Sequence, residues 1–272
     1  MAQAELSMHE GDRDADRIEI VTLDASDIGQ FRHFCGRSPK YAQAYENKSS
    51  WLQARFAEGM RYKLLRANGH TVAFLEYLPG ECAWRGVAAE GYLFIHCFWV
   101  LGKNKGRGYG TRLLNDCLKG AQEHGFAGVA VLTSFEHWLP NKRIFVKHGF
   151  EQVDAAPPAF ELFVKRWDPI APLPKLTRGW QDAATLLNGL TMFASDQCPY
   201  IFFTGRTVRA VADQLNVPVA IVRVETPRQA QQSPCPYGVM GIFYDGQMVS
   251  YRPTGAEELI KSIQRLESHH GE

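Results

Sequence analysis

Two short stretches carry residues whose types and spacing suit chemistry. The run KNKGRGYG, residues 103–110, sets glycines at 106, 108 and 110 among Lys105, Arg107 and Tyr109, directly ahead of a helical pattern. Glycines at that spacing leave consecutive backbone N–H groups unshielded, so the helix N-terminus can face a diphosphate. The second stretch is DQCPY, residues 196–200, where Cys198 stands just before the proline that opens a predicted helix. A thiol in that position is expected to have its pKa lowered by the helix dipole and to serve as a thiolate that binds or exchanges thiols or captures a soft electrophile; packing is the plain alternative. Cys235, in the loop PCPYG, is a candidate resolving partner.

The elements that must position these residues are legible around them. Residues 92–101 (YLFIHCFWVL) form an apolar run that predicts a buried strand, and Leu113, Leu114, Cys117, Leu118 and Ala121 recur at helical spacing up to Gly125. A glycine-rich strand-to-helix turn also serves nucleotide binders. The triphosphate pattern needs Lys followed by Ser or Thr after its last glycine, whereas Gly110 is followed by Thr111 and Arg112. A dinucleotide fingerprint would open the first strand-helix unit of a parallel array, and this turn comes well inside the chain.

The stretch resembles the acetyl-CoA loop of the GNAT superfamily of N-acetyltransferases, with Lys105 where Arg or Gln is usual and with Gly108 and Gly110 matching. A strand at 127–133 (AGVAVLT) and the segment NKRIFVKHGF (141–150) resemble that family's closing strand and helix, except that Phe145 stands where many members carry a proton-donating tyrosine. More narrowly, IHCFWV, FVKHGFEQVDAAPPAFEL and DQCPY resemble the YoaP-like proteins, a GNAT domain with a thioredoxin-like tail.

The resemblance implies an α/β (α+β) fold: a mixed sheet flanked by helices, then a smaller thioredoxin-like domain. It also implies acetyl-CoA as co-substrate, with no metal, for transfer to an amine. Backbone groups at Trp99, Val100 and Leu101 would hold the pantetheine arm, and an N–H near Val100 would polarise the thioester. The turn Lys105, Gly106, Arg107, Gly108, Tyr109, Gly110 and Thr111 would hold the diphosphate, with Asn141 and Phe145 beside the cofactor.

A base and an acid are still needed. Glu76 or His96, both on strands facing the expected cleft, is the base, through a water if need be, and which of the two stays open. Cys97, Ser134 or a water would stand in for the missing tyrosine. Each has an ordinary alternative: His96 as a hydrogen-bonded core histidine, Glu76 as a solvated edge residue, Cys97 and Cys117 as small apolar core groups. A binding or sensor protein that holds acyl-CoA without turnover, and a monothiol redox protein acting through Cys198, are the competing functions.

At 272 residues, 45% hydrophobic and 22% charged, the chain has room for two domains. A net charge of +1 gives no case for nucleic acid. No apolar run reaches the ~18 residues of a membrane span, and the acidic start does not resemble a signal peptide, so a cytoplasmic protein is expected. Six cysteines with no C-x-x-C pair suggest neither a disulfide framework nor zinc. The expected partner is a small amine or thiol-containing acceptor, bound by a monomer or homodimer.

In order, the chain reads as a disordered tail (1–16), an acetyltransferase domain (17–168), a linker (169–176) with prolines at 169, 172 and 174, and a second domain (177–272). The first domain begins with a strand at 17–23, helices over 38–59, a hairpin of strands 61–66 and 71–78 about Asn68-Gly69, and a loop at 79–89. Its last strand is 160–166. The second domain reads β-α-β-α-β-β-α, with strands at 190–194, 217–224, 239–244 and 248–252 and helices at 199–215 and 256–267. His269 and His270 read as a solvated end.

Overall fold

The protein is described here from a computed structural model covering residues 16–28, 35–36, 38–136, 138–178, 184 and 187–269. The expected tail therefore lies almost wholly outside the described residues, as does His270.

The N-terminal sheet begins with β1 (Ile18–Leu23), which pairs with β2 (Arg61–Ala67). Between them runs helix α1 (Ala42–Phe56). A two-residue turn at Asn68 and Gly69, both with positive φ, leads from β2 into β3 (His70–Pro79), as an Asn-Gly pair between alternating strands requires. The segment expected as a plain loop contains a 3-10 turn at Gly80–Cys82 and a short strand, β4 (Val87–Ala88).

The apolar run becomes β5 (Leu93–Val100), followed by a 3-10 turn at Gly102–Asn104 and helix α2 (Tyr109–Glu123). Next come β6 (Gly128–Ser134), α3 (Lys142–Lys147), β7 (Glu151–Ala156) and β8 (Phe160–Arg166). The seven strands lie in the order β1-β2-β3-β5-β6-β8-β7, all neighbours antiparallel except the parallel pair β5 and β6.

The proline-rich segment ends in β9 (Lys175–Leu176), which pairs with β4, so this connection is tied back onto the N-terminal half. A second, smaller sheet then forms from β10 (Leu190–Ala194), β11 (Val219–Arg223), β12 (Met240–Tyr244) and β13 (Gln247–Ser250), in the order β11-β10-β12-β13. Strands β10 and β11 are parallel and the other pairs antiparallel. Its helices are α4 (Pro199–Leu215), the short α5 (Pro227–Gln231) and α6 (Ala256–His269).

The N-terminal sheet has a different neighbour on each face. On one, α2 and α3 cover Leu75, Ile95, Phe98 and Val131. On the other, α1 and the C-terminal sheet share one continuous core, in which Phe94, Leu132 and Phe160 pack with Met192, Ile242 and Tyr251. Phe160 and Tyr251 have ring centroids 4.6 Å apart. Burial of apolar surface thus joins the two sheets as well as forming each.

Candidate active site

The centre of the N-terminal sheet opens where β5 and β6 part. They pair only from Leu93 opposite Val129 to Ile95 opposite Val131, while β5 continues to Val100 and β6 to Ser134. On its other side β5 remains paired to β3 up to Val100 opposite Ala73, and Leu101 N–H donates to Val72 O at 3.0 Å. In an antiparallel ladder alternate residues turn their N–H and C=O away from the partner. With Leu101 bonded to β3, Val100 and Phe98 must direct theirs into the gap beside β6. The result is a strand edge inside the sheet, open to an extended ligand.

The glycine turn lies at the same end. Gly106 and Gly108 have φ of 82° and 79°, and a Cβ on either would meet nothing within 4 Å, so the conformation rather than crowding requires glycine. Gly108 caps α2 from the left-handed region and, having no side chain, offers no capping hydrogen bond, leaving the N–H groups of the first turn for another partner. Gly110 is different: its Cβ would come within 3.1 Å of Ile144 Cδ1 and 3.2 Å of Phe98 Cζ. It lets α2 seat against β5 and α3.

An oxyanion already rests beside this turn. Arg107 Nη2 and the Tyr109 hydroxyl each donate to Asp16 Oδ2 at 2.5 Å, and the Tyr109 bond, then Arg107, lowers the Asp16 pKa against a smaller opposing effect of desolvation. Lys105 Nζ stands 5.2 Å over the Trp99 ring, and Thr111 is exposed on the first turn of the helix. Asn141 caps α3, accepting from Arg143 N–H at 2.9 Å. The turn and the strand gap fit an elongated ligand with a diphosphate near one end.

Phe145 is fully buried between Phe98 and Phe150, with centroids 6.0 and 5.3 Å away, and offers no hydroxyl. On the opposite face of β5 a bulge interrupts the register with β3: Glu76 faces Cys97 and Tyr77 faces Ile95, leaving His96 as the extra residue. The bulge turns His96 and Cys97 to the same side, toward the C-terminal sheet.

There the two candidate bases, Glu76 and His96, are both buried. Glu76 is fully buried, 2.6 Å from Lys48 Nζ, and its Oε1 accepts from Gln197 Nε2 at 2.8 Å. Burial alone would raise its pKa, but Lys48 and then His96 outweigh that and bring it down to about 2. Such a carboxylate is a weak base, and it is no solvated edge residue either. His96 Nε2 accepts the Trp84 N–H at 2.9 Å, so its proton sits on Nδ1, 3.8 Å from Glu76 Oε1. Burial, then Arg85, pushes its pKa down to about 3. A depressed pKa and an occupied lone pair both disfavour proton uptake at this ring.

The companions in this buried cluster were not singled out from the sequence. Arg85, 1% exposed, donates to Trp84 O and His96 O at 2.7 Å each and to Gln197 Oε1 at 3.3 Å, with its guanidinium 4.5 Å over the Tyr237 ring. Lys48 had one available signal: it falls between Tyr45 and Trp51 on the buried stripe of α1, where a solvated lysine has no place. Nothing in the local sequence marks Arg85 or Gln197, because their partners lie far along the chain.

The expectation for Cys198 also changes. It does cap α4, but burial raises its pKa to about 11 and outweighs the N–H groups of Tyr200 and Ile201 that favour the thiolate. Burial likewise lifts Cys97 well above the ordinary thiol range, and Cys235 to about 12. All three are free thiols. Cys117 is a buried core group, as its apolar alternative expects.

At the end of β6, Ser134 Oγ and the Tyr251 hydroxyl are 2.5 Å apart, and Glu136 N–H donates to Ser134 Oγ at 3.1 Å. Tyr251, from just beyond β13, brings a tyrosine hydroxyl to the strand gap from the other sheet.

Residues 28–150 match the family described as Acetyltransferase (GNAT) family, and residues 218–261 match the YoaP-like family. The chain is 28% identical over 235 residues to a protein named Uncharacterized N-acetyltransferase YoaP from Bacillus subtilis (strain 168), covering 85% of this chain and 93% of that one. Similar solved structures include an acetyltransferase from Thermus thermophilus, 18% identical, covering 55% of this chain and 97% of its own with a TM-score of 0.42. Another is the PaiA N-acetyltransferase from Thermoplasma acidophilum in complex with coenzyme A, 14% identical over 55% and 99% with a TM-score of 0.41. A third is a GNAT family acetyltransferase from Brucella melitensis in complex with acetyl-CoA, 18% identical over 60% and 96% with a TM-score of 0.38. The chain is thus similar to the acetyltransferase (GNAT) family over residues 28–150 and to the YoaP-like family over residues 218–261.

Proposed function

We propose that the chain is an acetyl-CoA-dependent N-acetyltransferase that moves the acetyl group directly to an amine. The observation that carries this reading is the strand gap, with the outward N–H groups of Phe98 and Val100 lying at the same end as the glycine turn. The match of residues 28–150 to the acetyltransferase (GNAT) family supports the choice of ligand.

In this account the first-turn N–H groups of α2, with Lys105 and Arg107, hold the diphosphate. Phe98 and Val100 bind the pantetheine amides as a neighbouring strand would, and the Val100 N–H polarises the thioester oxygen. Acetyl-CoA supplies the activated acyl group. The amine's excess proton passes to water, the C–N bond forms as the C–S bond breaks, and the hydroxyl pair Ser134 and Tyr251 returns a proton to the sulfur. Glu76, His96 and Arg85 position β5 through the bulge. Orientation rather than a strong base supplies the rate.

The β-α-β-α-β-β-α order of the C-terminal half and its strand order β11-β10-β12-β13 support reading it as a thioredoxin-like domain. With Cys198 at about 11 it acts as a wall of the acceptor site rather than as a redox centre.

Incubation with acetyl-CoA and mixed amines, followed by thiol detection, should show amine-dependent release of coenzyme A. Binding without release on every amine would favour a sensor, a reading that draws on the aromatic ring of Phe145 in the tyrosine position.

A further inference from the structure

Two cavities lie on the seam between the sheets, near the end of the strand gap. One, about 520 Å³, is lined by Phe135, Glu136, Trp138, Arg252 and Pro253. The other, about 420 Å³, shares Pro253 with it and is lined by Tyr41, Tyr200 and Phe203 together with Lys40. Phe135 and Glu136 follow directly on Ser134, so the first cavity begins where β6 leaves the gap. Its other wall follows on Tyr251, the residue that meets Ser134.

The two cavities have one aromatic lining. Trp138 and Tyr200 lie 6.3 Å apart, Tyr200 and Tyr41 5.4 Å, and Tyr41 and Phe203 5.1 Å, all edge to face. Phe135 is 64% exposed and Tyr200 38%, apolar surface left open on these walls. Such faces bind flat apolar bodies and attract cations.

The charges differ in their commitments. Arg252 is ion-paired with Glu258, and Lys40 lies 4.8 Å over its neighbour's ring. Glu136 is in no ion pair among the described residues, and the partner of its carboxylate is the Tyr251 hydroxyl. One carboxylate outside any ion pair, beside two aromatic rings, suits one ammonium, while Lys40 in the second cavity disfavours another cationic centre farther along.

We propose that these joined cavities are the acceptor site and that they select a primary amine on an aromatic, uncharged body. The ammonium sits against Glu136 between Phe135 and Trp138, and the body lies along Tyr200 toward Tyr41 and Phe203. The assignment rests on the acetyl-transfer reading for its chemistry but not for its binding.

The test uses the full chain and two measurements, calorimetric binding of phenylalanine amide without coenzyme and steady-state acetylation of phenylalanine amide, tryptamine, spermidine and glutamate. The aromatic amines should show kcat/KM at least tenfold above the other two. Glu136→Gln should weaken phenylalanine amide binding at least tenfold with acetyl-CoA affinity unchanged, and Tyr200→Ala should weaken it about fivefold. Preference for spermidine or glutamate overturns the proposal, as does acetyl-CoA binding with no aromatic amine accepted, or unchanged amine binding in both variants. Phenylalanine amide binding with no affinity for acetyl-CoA would instead remove the acetyl-transfer reading and leave the amine site standing.

Discussion

Gly108 and His96 show how differently single residues serve this site. Gly108 holds φ at 79° with open space around it, so Gly108→Glu strains the backbone by about 1–2 kcal/mol and sets a carboxylate where the diphosphate belongs. We expect the variant to remain folded and to bind acetyl-CoA at least tenfold more weakly by calorimetry. His96 takes up protons below about 6.5 in an unfolded chain but only near 3 when folded. The unfolded state therefore binds more protons across that range, and stability falls as pH drops from 6.5 toward 3. Glu76 adds a second loss in the same direction, from its ordinary carboxylate range down to about 2. Melting temperature should fall with pH over 6.5 to 4.5, and His96→Gln should flatten that slope; an equal slope in the variant would contradict the neutral, buried assignment. Lys48→Ala would leave Glu76 charged and buried without its main partner, a loss of about 3–5 kcal/mol measurable by denaturant unfolding. The sequence made the glycine turn legible because conformation and chemistry are local there. It left the roles of Glu76 and His96 undecided, because those depend on Lys48, Arg85 and Gln197 reached only through the fold.

At the scale of elements, short-range patterns carried β5, α2, β6 and the strands and helices of the C-terminal half close to their observed limits. What they could not carry was any element defined by its partner. The two-residue strands β4 and β9 have no pattern of their own and exist because Val87–Ala88 and Lys175–Leu176 meet. Strand β7, with the sequence EQVDAA, is largely exposed and weakly alternating, and it is held at the sheet edge by β8. The bulge at His96 is equally silent in sequence, yet it decides which residues of β5 face the C-terminal sheet. Helix α3 spans only six residues, so its cap matters: Asn141→Ala removes the acceptor for Arg143 N–H and should cost about 1 kcal/mol by thermal unfolding, with no change beyond error refuting the cap's contribution.

For the whole molecule, the two sheets share a core and a buried polar cluster that spans both. Gln197 and Tyr251 reach from the C-terminal half to Glu76 and Ser134, and Trp138 donates to the Tyr237 hydroxyl at 3.2 Å. The proline-rich connection reads in sequence as a stiff linker at a domain boundary, and contacts distant in sequence pack the parts on either side of it into one core. We expect a single calorimetric transition for the full chain; two separated transitions would show that the shared core does not couple the sheets. The proposed function depends most on the gap between β5 and β6 and the turn that follows it. The most direct test is calorimetric titration of the full chain with acetyl-CoA, repeated with Gly108→Glu. One site per chain is expected, with affinity reduced at least tenfold in the variant. Equal affinity in both proteins, or no binding to the unmodified chain, would contradict it.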